Sequence, residues 1–319
     1  MILPIFKPMK LLGSFFRLIR FPNLAFIALT QFFFYHGIII RQRTAHPGAL
    51  FSLDNEGFQL LLVASFLIAA GGYVINDYFD INIDSINKPD RQVVERVIKR
   101  RWAMVWHVLF SFSGWLLSIL LSRRLENPFP AVFNTGAIML LWFYSTNFKR
   151  RLLIGNVVIS LLTAWVVLVL YVAEAGITFE LPSSTQTSYI TDIYKAAILF
   201  GGFAFISSLI REAVKDLEDM KGDARYACRT MPIVWGVRST KIFIGVWMIV
   251  LICALSSLSI YYLLHARWEL ATYLIVGVVV PASYALLRLD RASTTADYRL
   301  ISQLIKLFML AGTCSMLLM

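Results

Sequence analysis

The chain has 319 residues, of which 58% are hydrophobic and only 15% are charged. A soluble domain carries nearer a quarter of charged residues, so this chain has too few to cover a water-facing surface. The apolar content excludes disorder, and three cysteines are too few for a disulfide scaffold. The net charge is +11, and the basic residues cluster between apolar segments. This pattern fits binding to anionic lipid headgroups or a phosphorylated substrate better than binding to nucleic acid. Composition therefore indicates a polytopic membrane protein.

Nine apolar runs long enough to span a bilayer follow one another along the chain. They cover 22–40, 58–79, 102–121, 129–147, 153–174, 194–213, 241–263, 268–287 and 299–318. The runs are continuously apolar rather than alternating, which disfavours a β-barrel and predicts an all-α bundle of nine transmembrane helices. We expect one integral membrane domain over 1–319, in which residues 1–20 form a basic cytoplasmic tail. Glu174 closes the fifth run and is expected among the lipid headgroups.

The distribution of Lys and Arg predicts the orientation of the spans. Most of these residues lie in the N-terminal tail and in the connections after the even-numbered spans. The connections after the odd-numbered spans hold only Arg41, Arg43, Arg123, Arg124 and Arg267. By the positive-inside rule, we expect a cytoplasmic N-terminus and an outer C-terminus, in the inner membrane if the source is bacterial.

Two acidic clusters follow the second and the sixth spans. Each contains three aspartates spaced three and then four residues apart: Asp77, Asp80 and Asp84 in the first cluster, and Asp216, Asp219 and Asp223 in the second. On a helix these offsets place the side chains on one face. Oxygen ligands without a nearby His or Cys suit a hard ion such as Mg²⁺, and a diphosphate could bridge ions held by two such stripes. We expect the segments 80–101 and 214–240 to form cytoplasmic caps that carry the clusters.

A diphosphate also needs cationic partners, and basic residues accompany both clusters. They are Lys88, Arg91, Arg96, Lys149, Lys221, Arg225 and Arg229. Arg can bind phosphate in a bidentate manner, whereas Lys acts as a point charge. Lys149 and Arg91 are the strongest candidates, because each lies beside other polar candidates. Tyr144 and Ser145 end the fourth span, where interfacial anchoring by Tyr is the competing interpretation.

The acidic motifs resemble those of a known family. Asn76-Asp77-x-x-Asp80-x-x-x-Asp84 is similar to the first signature of the UbiA superfamily of intramembrane prenyltransferases, and Asp219-x-x-x-Asp223 is similar to the second. The resemblance extends to Asn87-Lys88-Pro89-Asp90-Arg91, to Tyr144-Ser145, and to Lys149 and Asn156. The second motif, followed by Arg229-Thr230-Met231-Pro232-Ile233, most resembles the branch that makes archaeal-type ether lipids. The chain departs from the usual pattern at Gln92-Val93, at Ala213-Val214 and at Met231, which leaves the acceptor open.

The resemblance implies a helical bundle around a central cavity that opens to lipid. It implies an allylic prenyl diphosphate donor, geranylgeranyl diphosphate by preference, and an ether-lipid acceptor of the geranylgeranylglyceryl phosphate type. The implied Mg²⁺ ligands are Asn76, Asp80, Asp84, Asp216, Asp219 and Asp223, and Asp77 is a further candidate metal ligand. The catalytic candidates are Asp80, Asp84, Asp219 and Asp223, and the substrate-binding candidates are Asn23, Lys88, Arg91, Tyr144, Ser145, Lys149, Asn156 and Lys221.

The chemistry of the residues agrees with this expectation. An allylic C–O bond ionises once metals and basic side chains neutralise its diphosphate. A chamber rich in aromatic side chains shields the resulting cation from water. An aromatic acceptor such as 1,4-dihydroxy-2-naphthoate or 4-hydroxybenzoate stays open, as do a terpene cyclase and a noncatalytic scaffold. A cation transporter is a further alternative. It would need ionisable residues near the middle of the bilayer, and the interiors of spans two to nine contain almost no Asp, Glu, Lys or Arg. The sequence indicates no nucleic-acid partner, and no protein partner is evident.

Overall fold

The structure is a computed structural model that describes residues 7–48, 50–87, 92–176 and 188–319. These residues form helices joined by short connections, and none of them belongs to a β-strand. The α-helices are α1 (Lys7–Leu18), α2 (Phe21–Phe34), α3 (Ile40–Ala45), α4 (Asn55–Phe79), α5 (Ile81–Asn87), α6 (Arg100–Arg124), α7 (Phe129–Thr146), α8 (Ile154–Ala175), α9 (Ser188–Arg225), α10 (Met231–Val234), α11 (Gly236–Leu264), α12 (Trp268–Leu274), α13 (Val280–Arg291) and α14 (Thr295–Cys314). One π-helical turn, Tyr35–Ile39, joins α2 to α3, and another, Ile275–Val279, joins α12 to α13.

Eight helical stretches within the described residues are long and apolar enough to cross a membrane. They are Phe21–Ala45, Asn55–Phe79, Arg100–Arg124, Ile154–Ala175, Tyr189–Arg225, Gly236–Leu264, Trp268–Arg291 and Thr295–Leu317. The remaining predicted span, 129–147, coincides with α7, which is not among the eight. Pro130, Asn134 and the polar residues at its end interrupt the apolar sequence of this 18-residue helix. The predicted all-α, multi-pass membrane architecture is confirmed.

The chain divides into two compact units and passes from one to the other after Leu29, after Ser52 and after Phe148. Unit one comprises the described residues up to Leu29 together with Leu53–Phe148. Within it α4 packs along α6, and both contact α7. A Cβ on Gly71 would lie 2.6 Å from Ser111 Oγ, and a Cβ on Gly114 would lie 2.7 Å from Ile68 Cγ1. Small residues are therefore required where α4 and α6 meet, as is common where membrane helices pack closely.

An ion-pair cluster joins the start of α4 to the end of α6. Asp54 caps α4 by accepting a hydrogen bond from the Gly57 N–H at 2.8 Å. The Arg124 guanidinium donates to Asp54 through Nε at 3.2 Å, and its Nη2 lies 2.8 Å from the Glu56 carboxylate. The hydrogen bond from Arg124 holds the pKa of the Asp54 carboxyl below its usual range.

Unit two comprises Thr30–Ser52 and Lys149–Met319, and its longest element is the 38-residue helix α9. Helices α8, α11 and α14 pack against α9. The expectation that Glu174 lies among the headgroups is wrong, because its side chain is buried and accepts a hydrogen bond from the Ser52 N–H at 3.0 Å. The connection before α4 reaches the end of α8, where the Glu174 carboxylate supplies the acceptor that the Ser52 backbone N–H needs.

Candidate functional site

The first cluster lies across a break between α4 and α5. Helix α4 ends because Asp80 has φ −91° and ψ 0°, outside the helical range, and α5 begins at Ile81. Asp77 therefore lies in the last turn of α4, Asp80 caps that helix, and Asp84 lies in α5. The backbone hydrogen bonds continue through the break, from the Asp80 N–H to the Asn76 carbonyl at 3.0 Å and from the Asp84 N–H to the Asp80 carbonyl at 2.8 Å.

Asn76 and Asp80 form a buried pair inside this break. They are 8% and 3% exposed, and Asn76 Nδ2 donates to Asp80 Oδ2 at 2.8 Å. Asn76 Oδ1 is also buried and has no hydrogen-bond partner among the residues that the structure describes. A buried polar atom without a partner is uncommon in native structures. An amide oxygen beside a carboxylate is a ligand set that suits a hard divalent cation such as Mg²⁺.

Asp77 forms an ion pair with Arg20 at 2.7 Å. The Arg20 guanidinium also lies 5.2 Å from the centre of the Tyr73 ring. Burial by itself lowers the pKa of the Arg20 guanidinium, but the Asp77 carboxylate outweighs this effect and the pKa is raised. Arg20 is not among the predicted site residues, because 57 positions separate it from Asp77 and its only local signal is that of a base directly before the first span.

The segment that follows the first cluster packs on unit one. Val93, Val94 and Ile98 are buried in one apolar cluster with Leu18 and Val74. This packing gives residues 92–99 a fixed position on the elements that carry the first cluster.

Two contacts tie this segment and the start of α6 to the cluster. Gln92 Nε2 donates to the Ile81 carbonyl at 3.2 Å, at the start of α5. The Arg100 guanidinium lies 4.3 Å from the centre of the Tyr78 ring, next to Asp77 in the chain. Two predicted substrate-binding residues of this region, Lys88 and Arg91, lie outside the described residues.

Three further predicted site residues lie in unit one. Asn23 is half-buried near the start of α2, and Tyr144 is half-buried near the end of α7. Ser145 is buried, and its Oγ donates to the Leu141 carbonyl at 2.9 Å. Because that bond uses the hydroxyl proton, Ser145 can offer another group only an acceptor.

The second cluster lies on one continuous helix, as its spacing predicts. Helix α9 extends without a break through Asp216, Asp219 and Asp223 to Arg225. Asn156 Nδ2, on α8, donates to Asp216 Oδ2 at 2.9 Å. The Ser160 hydroxyl donates to the Asn156 carbonyl at 2.7 Å.

Other acids near the second cluster have their own cationic partners. Glu212 is buried, with Arg211 at 2.8 Å and Lys215 at 3.2 Å. Glu218 lies 3.0 Å from Arg299 on α14. Arg211, Lys215 and Arg299 are therefore engaged in ion pairs within the protein.

The remaining predicted bases of unit two lie near the end of α9. Lys221 is exposed, and Lys149 is half-buried in the short 3₁₀ turn Phe148–Arg150. The Arg229 N–H donates to the Arg150 carbonyl at 2.9 Å, which ties the segment after α9 to that turn. Much of the expected cap segment 214–240 is helical, since α9 continues to Arg225, α10 follows and α11 begins at Gly236.

Neither cluster completes a metal site with protein ligands alone. Over the described residues, no three His, Cys, Asp or Glu side chains form a group that could hold a metal ion. Mg²⁺ usually binds through one or two carboxylates and completes its shell with water and substrate phosphate oxygens. The Asn76–Asp80 pair, with its unpartnered amide oxygen, therefore fits Mg²⁺ as a partial site that a phosphorylated substrate would complete.

Comparisons with known proteins agree on one family. The sequence profile of the UbiA prenyltransferase family matches residues 24–310. Digeranylgeranylglyceryl phosphate synthase of Methanothermobacter thermautotrophicus is 32% identical over 253 residues, which cover 76% of this chain and 80% of the relative. The protein of the same name from Methanospirillum hungatei is 32% identical over 233 residues, covering 72% and 73%.

Solved structures share the fold at lower identity. A structure of digeranylgeranylglyceryl phosphate synthase superposes with a TM-score of 0.64 at 22% identity, covering 97% of this chain and 98% of the other. A UbiA homologue from Archaeoglobus fulgidus bound to DMAPP and Mg²⁺ superposes with a TM-score of 0.57 at 17% identity, covering 96% and 100%.

Proposed function

Because the chain belongs to the UbiA prenyltransferase family, we propose that it transfers a geranylgeranyl group from geranylgeranyl diphosphate to a lipid acceptor of the geranylgeranylglyceryl phosphate type. The observation that carries this choice of substrates is the 32% identity, over three quarters of the chain, to relatives named digeranylgeranylglyceryl phosphate synthase. The prenyl chains of both substrates are as apolar as the bilayer interior. A multi-pass helical protein meets such substrates where they reside.

Mg²⁺ is the proposed cofactor. The unpartnered Asn76 Oδ1 beside the buried Asp80 supports this assignment, as does the Mg²⁺ bound to the Archaeoglobus fulgidus homologue. Mg²⁺, when bound, would neutralise the diphosphate and so weaken the allylic C–O bond. The proposed ligands are Asn76, Asp80, Asp84, Asp216, Asp219 and Asp223. Asp77 has a supporting position through its ion pair with Arg20.

Neutral and basic side chains complete the proposed site. Asn156 holds the Asp216 carboxylate through its amide at 2.9 Å. The proposed ligands of the diphosphate oxygens are Lys88, Arg91, Lys149 and Lys221, because Lys and Arg are the side chains that bind phosphate best. Asn23, Tyr144 and Ser145 are assigned to substrate contacts.

The proposed reaction breaks the bond between C1 of the donor and its diphosphate oxygen, and the diphosphate leaves with the electron pair. The acceptor hydroxyl oxygen bonds to C1 and forms an ether, while its proton passes to a carboxylate. Asp84 and Asp223 are the candidate bases. Apolar and aromatic side chains keep water from the electrophilic carbon, since water would otherwise trap it.

The proposed orientation follows from the positive-inside rule. The N-terminus is in the cytoplasm and the C-terminus is outside, in the inner membrane if the source is bacterial. The chain acts as one prenyltransferase domain, with 1–20 as its basic tail and the segments 80–101 and 214–240 as cytoplasmic caps. Labelling of Lys221→Cys, in a variant without the native cysteines, should occur with a membrane-impermeant maleimide only from the cytoplasmic side.

A defined assay tests the substrates. Vesicles that contain the full chain are incubated with geranylgeranyl diphosphate, Mg²⁺ and either geranylgeranylglyceryl phosphate or an aromatic acid, and the lipids are analysed by mass spectrometry. The expected product is the digeranylgeranyl ether with the glycerol phosphate lipid. Product only with the aromatic acid would overturn the choice of acceptor. A cyclic hydrocarbon from the donor alone would indicate a cyclase, and cation flux without the donor would indicate a transporter.

A further inference from the structure

Unit two has a cavity near the start of α9, far from the second cluster. Its volume is about 310 Å³, and Arg41, Gln42, Asp192 and Lys195 are among its lining residues. Helix α9 rises about 1.5 Å per residue, so Lys195 lies roughly 30 Å along the helix from Asp216. This separation matches the thickness of the hydrocarbon core of a bilayer. The cavity and the second cluster are therefore separated along α9 by about the thickness of a hydrocarbon core.

The charged side chains that line the cavity have a net positive charge. Arg41 is exposed, and Lys195 lies 3.4 Å from Asp192 in a solvent-exposed pair. Arg41 and Lys195 against Asp192 leave one formal positive charge. An exposed ion pair contributes little energy, so the Lys195 ammonium can bind an anion without losing a strong partner. Gln42 adds an amide donor to the same wall.

The apolar part of the cavity continues into a narrow crevice of about 20 Å³. Leu199, Tyr262 and Met319 line both spaces. Beyond them the crevice is lined largely by apolar side chains, among them Phe203 and Leu255. A crevice of this volume holds about one water-sized group, so a chain attached to a bound phosphate would pack across its mouth, along Leu199 and Tyr262.

The wall of the cavity is fixed by close backbone packing. Gly37 lies in the π-helical turn Tyr35–Ile39 and lines the cavity. A Cβ at this position would approach the Met316 carbonyl oxygen to 2.4 Å, so only glycine fits. Single π-helical turns occur often at functional sites. The cavity is therefore bounded by an element whose position tight packing determines.

We propose that this cavity binds an anionic phospholipid of the leaflet opposite to the second cluster. Arg41 and Lys195 bind the headgroup phosphate, and one acyl chain packs along Leu199 and Tyr262. The apolar crevice and the position at a membrane face favour a lipid over free phosphate, which would use only the polar part. This site is separate from the proposed reaction and requires no prenyl donor.

Equilibrium binding of fluorescent phosphatidylglycerol and phosphatidylcholine to the purified full chain tests the proposal. Phosphatidylglycerol should bind more tightly. The double variant Arg41→Ala, Lys195→Ala should weaken its binding by about tenfold or more, since two charge-assisted hydrogen bonds are lost. Prenyl transfer should be unchanged. The matched control Arg123→Ala removes an exposed arginine that does not line the cavity and should bind as the parent does.

A second variant tests the apolar part. Leu199→Trp fills the junction between cavity and crevice and should weaken phosphatidylglycerol binding without a change of charge. If thermal unfolding shows that the double variant does not fold, phosphatidylglycerol binding by Leu199→Trp still tests the proposal. Three results would overturn the proposal: equal binding of both lipids, parent-like binding by a folded cavity variant, or full displacement of the lipid by an equal concentration of inorganic phosphate.

Discussion

The two acidic clusters share one spacing in the sequence but differ in the structure that carries them. The first lies across the break at Asp80, whereas the second lies on the unbroken helix α9. Their leading residues differ as well, because Asp77 is paired with the cation Arg20 and Asp216 is bound by the neutral amide of Asn156.

This difference shows that equal spacing does not imply equal roles. A carboxylate paired with an arginine already has its charge balanced inside the protein. A neutral amide does not balance the charge of the carboxylate that it binds, so a bound metal ion can supply that balance. We therefore expect the first cluster to bind through Asn76, Asp80 and Asp84, and the second through all three of its aspartates.

The largest effect is expected from the central aspartate of each cluster. Asp80→Ala or Asp219→Ala should reduce prenyl transfer by about 100-fold or more, as is typical when a group that stabilises developing charge is removed. Steady-state rates at saturating Mg²⁺ measure this loss. Asp290→Ala, at an exposed aspartate near the end of α13, is the matched control and should keep the parent rate. Activity within a few-fold of the parent in either cluster variant would refute the metal assignment for that cluster.

The leading aspartates should separate the two clusters. Asp216→Asn should reduce the rate by about tenfold or more and raise the Mg²⁺ concentration needed for half-maximal activity, because a charged ligand is lost. Asp77→Asn should lower the rate by less than Asp216→Asn does, and it should leave the Mg²⁺ requirement near that of the parent. Mg²⁺ titrations of both variants provide the comparison. If Asp77→Asn shifts the Mg²⁺ requirement as far as Asp216→Asn does, the clusters are equivalent after all.

A smaller effect is expected from the residue that positions Asp216. Asn156→Ala removes the amide donor at 2.9 Å and should lower the rate several-fold, with a raised Mg²⁺ requirement. Ser160→Ala is the matched control, since the Ser160 hydroxyl contacts the Asn156 backbone carbonyl and leaves the amide in place. Equal losses in both variants would indicate a general packing effect rather than positioning of the carboxylate.

The smallest effect concerns Asp54, an ion-paired carboxylate outside both clusters. The pKa of Asp54 is lowered in the folded protein by its hydrogen bond with Arg124. Its contribution to stability is therefore complete above the ordinary Asp pKa of about 3.9 and is lost as the pH falls through the lower folded value.

Thermal unfolding of the parent and of Asp54→Asn checks this sign. Asn retains the ability to cap α4, so the comparison isolates the charge. The parent should unfold at a slightly higher temperature at pH 6, and the difference should shrink toward pH 3. A difference that grows with acidity would contradict the account.

Much of the fold could be predicted from the sequence, because a bilayer requires about 20 apolar residues for each span. That rule identified every long helix, and the aspartate spacing correctly placed the second cluster on one helical face. The helix break at Asp80 was not predictable, since the spacing of the first cluster is the same. The ion pair of Arg20 with Asp77 and the burial of Glu174 depend on contacts between distant parts of the chain. Periodicity and composition contain no signal for such contacts.

We propose that binding of the donor diphosphate through Mg²⁺ needs the aspartates of each cluster. Calorimetric titration of the purified chain with a non-hydrolysable geranylgeranyl diphosphate analogue tests it most directly, with and without Mg²⁺. Binding of the analogue should require Mg²⁺. Asp80→Ala, Asp219→Ala and the double variant should all lose this binding to a similar extent, because the loss of either cluster's central aspartate should be enough to prevent it. Metal-independent binding, or full affinity in either single variant, would contradict the claim.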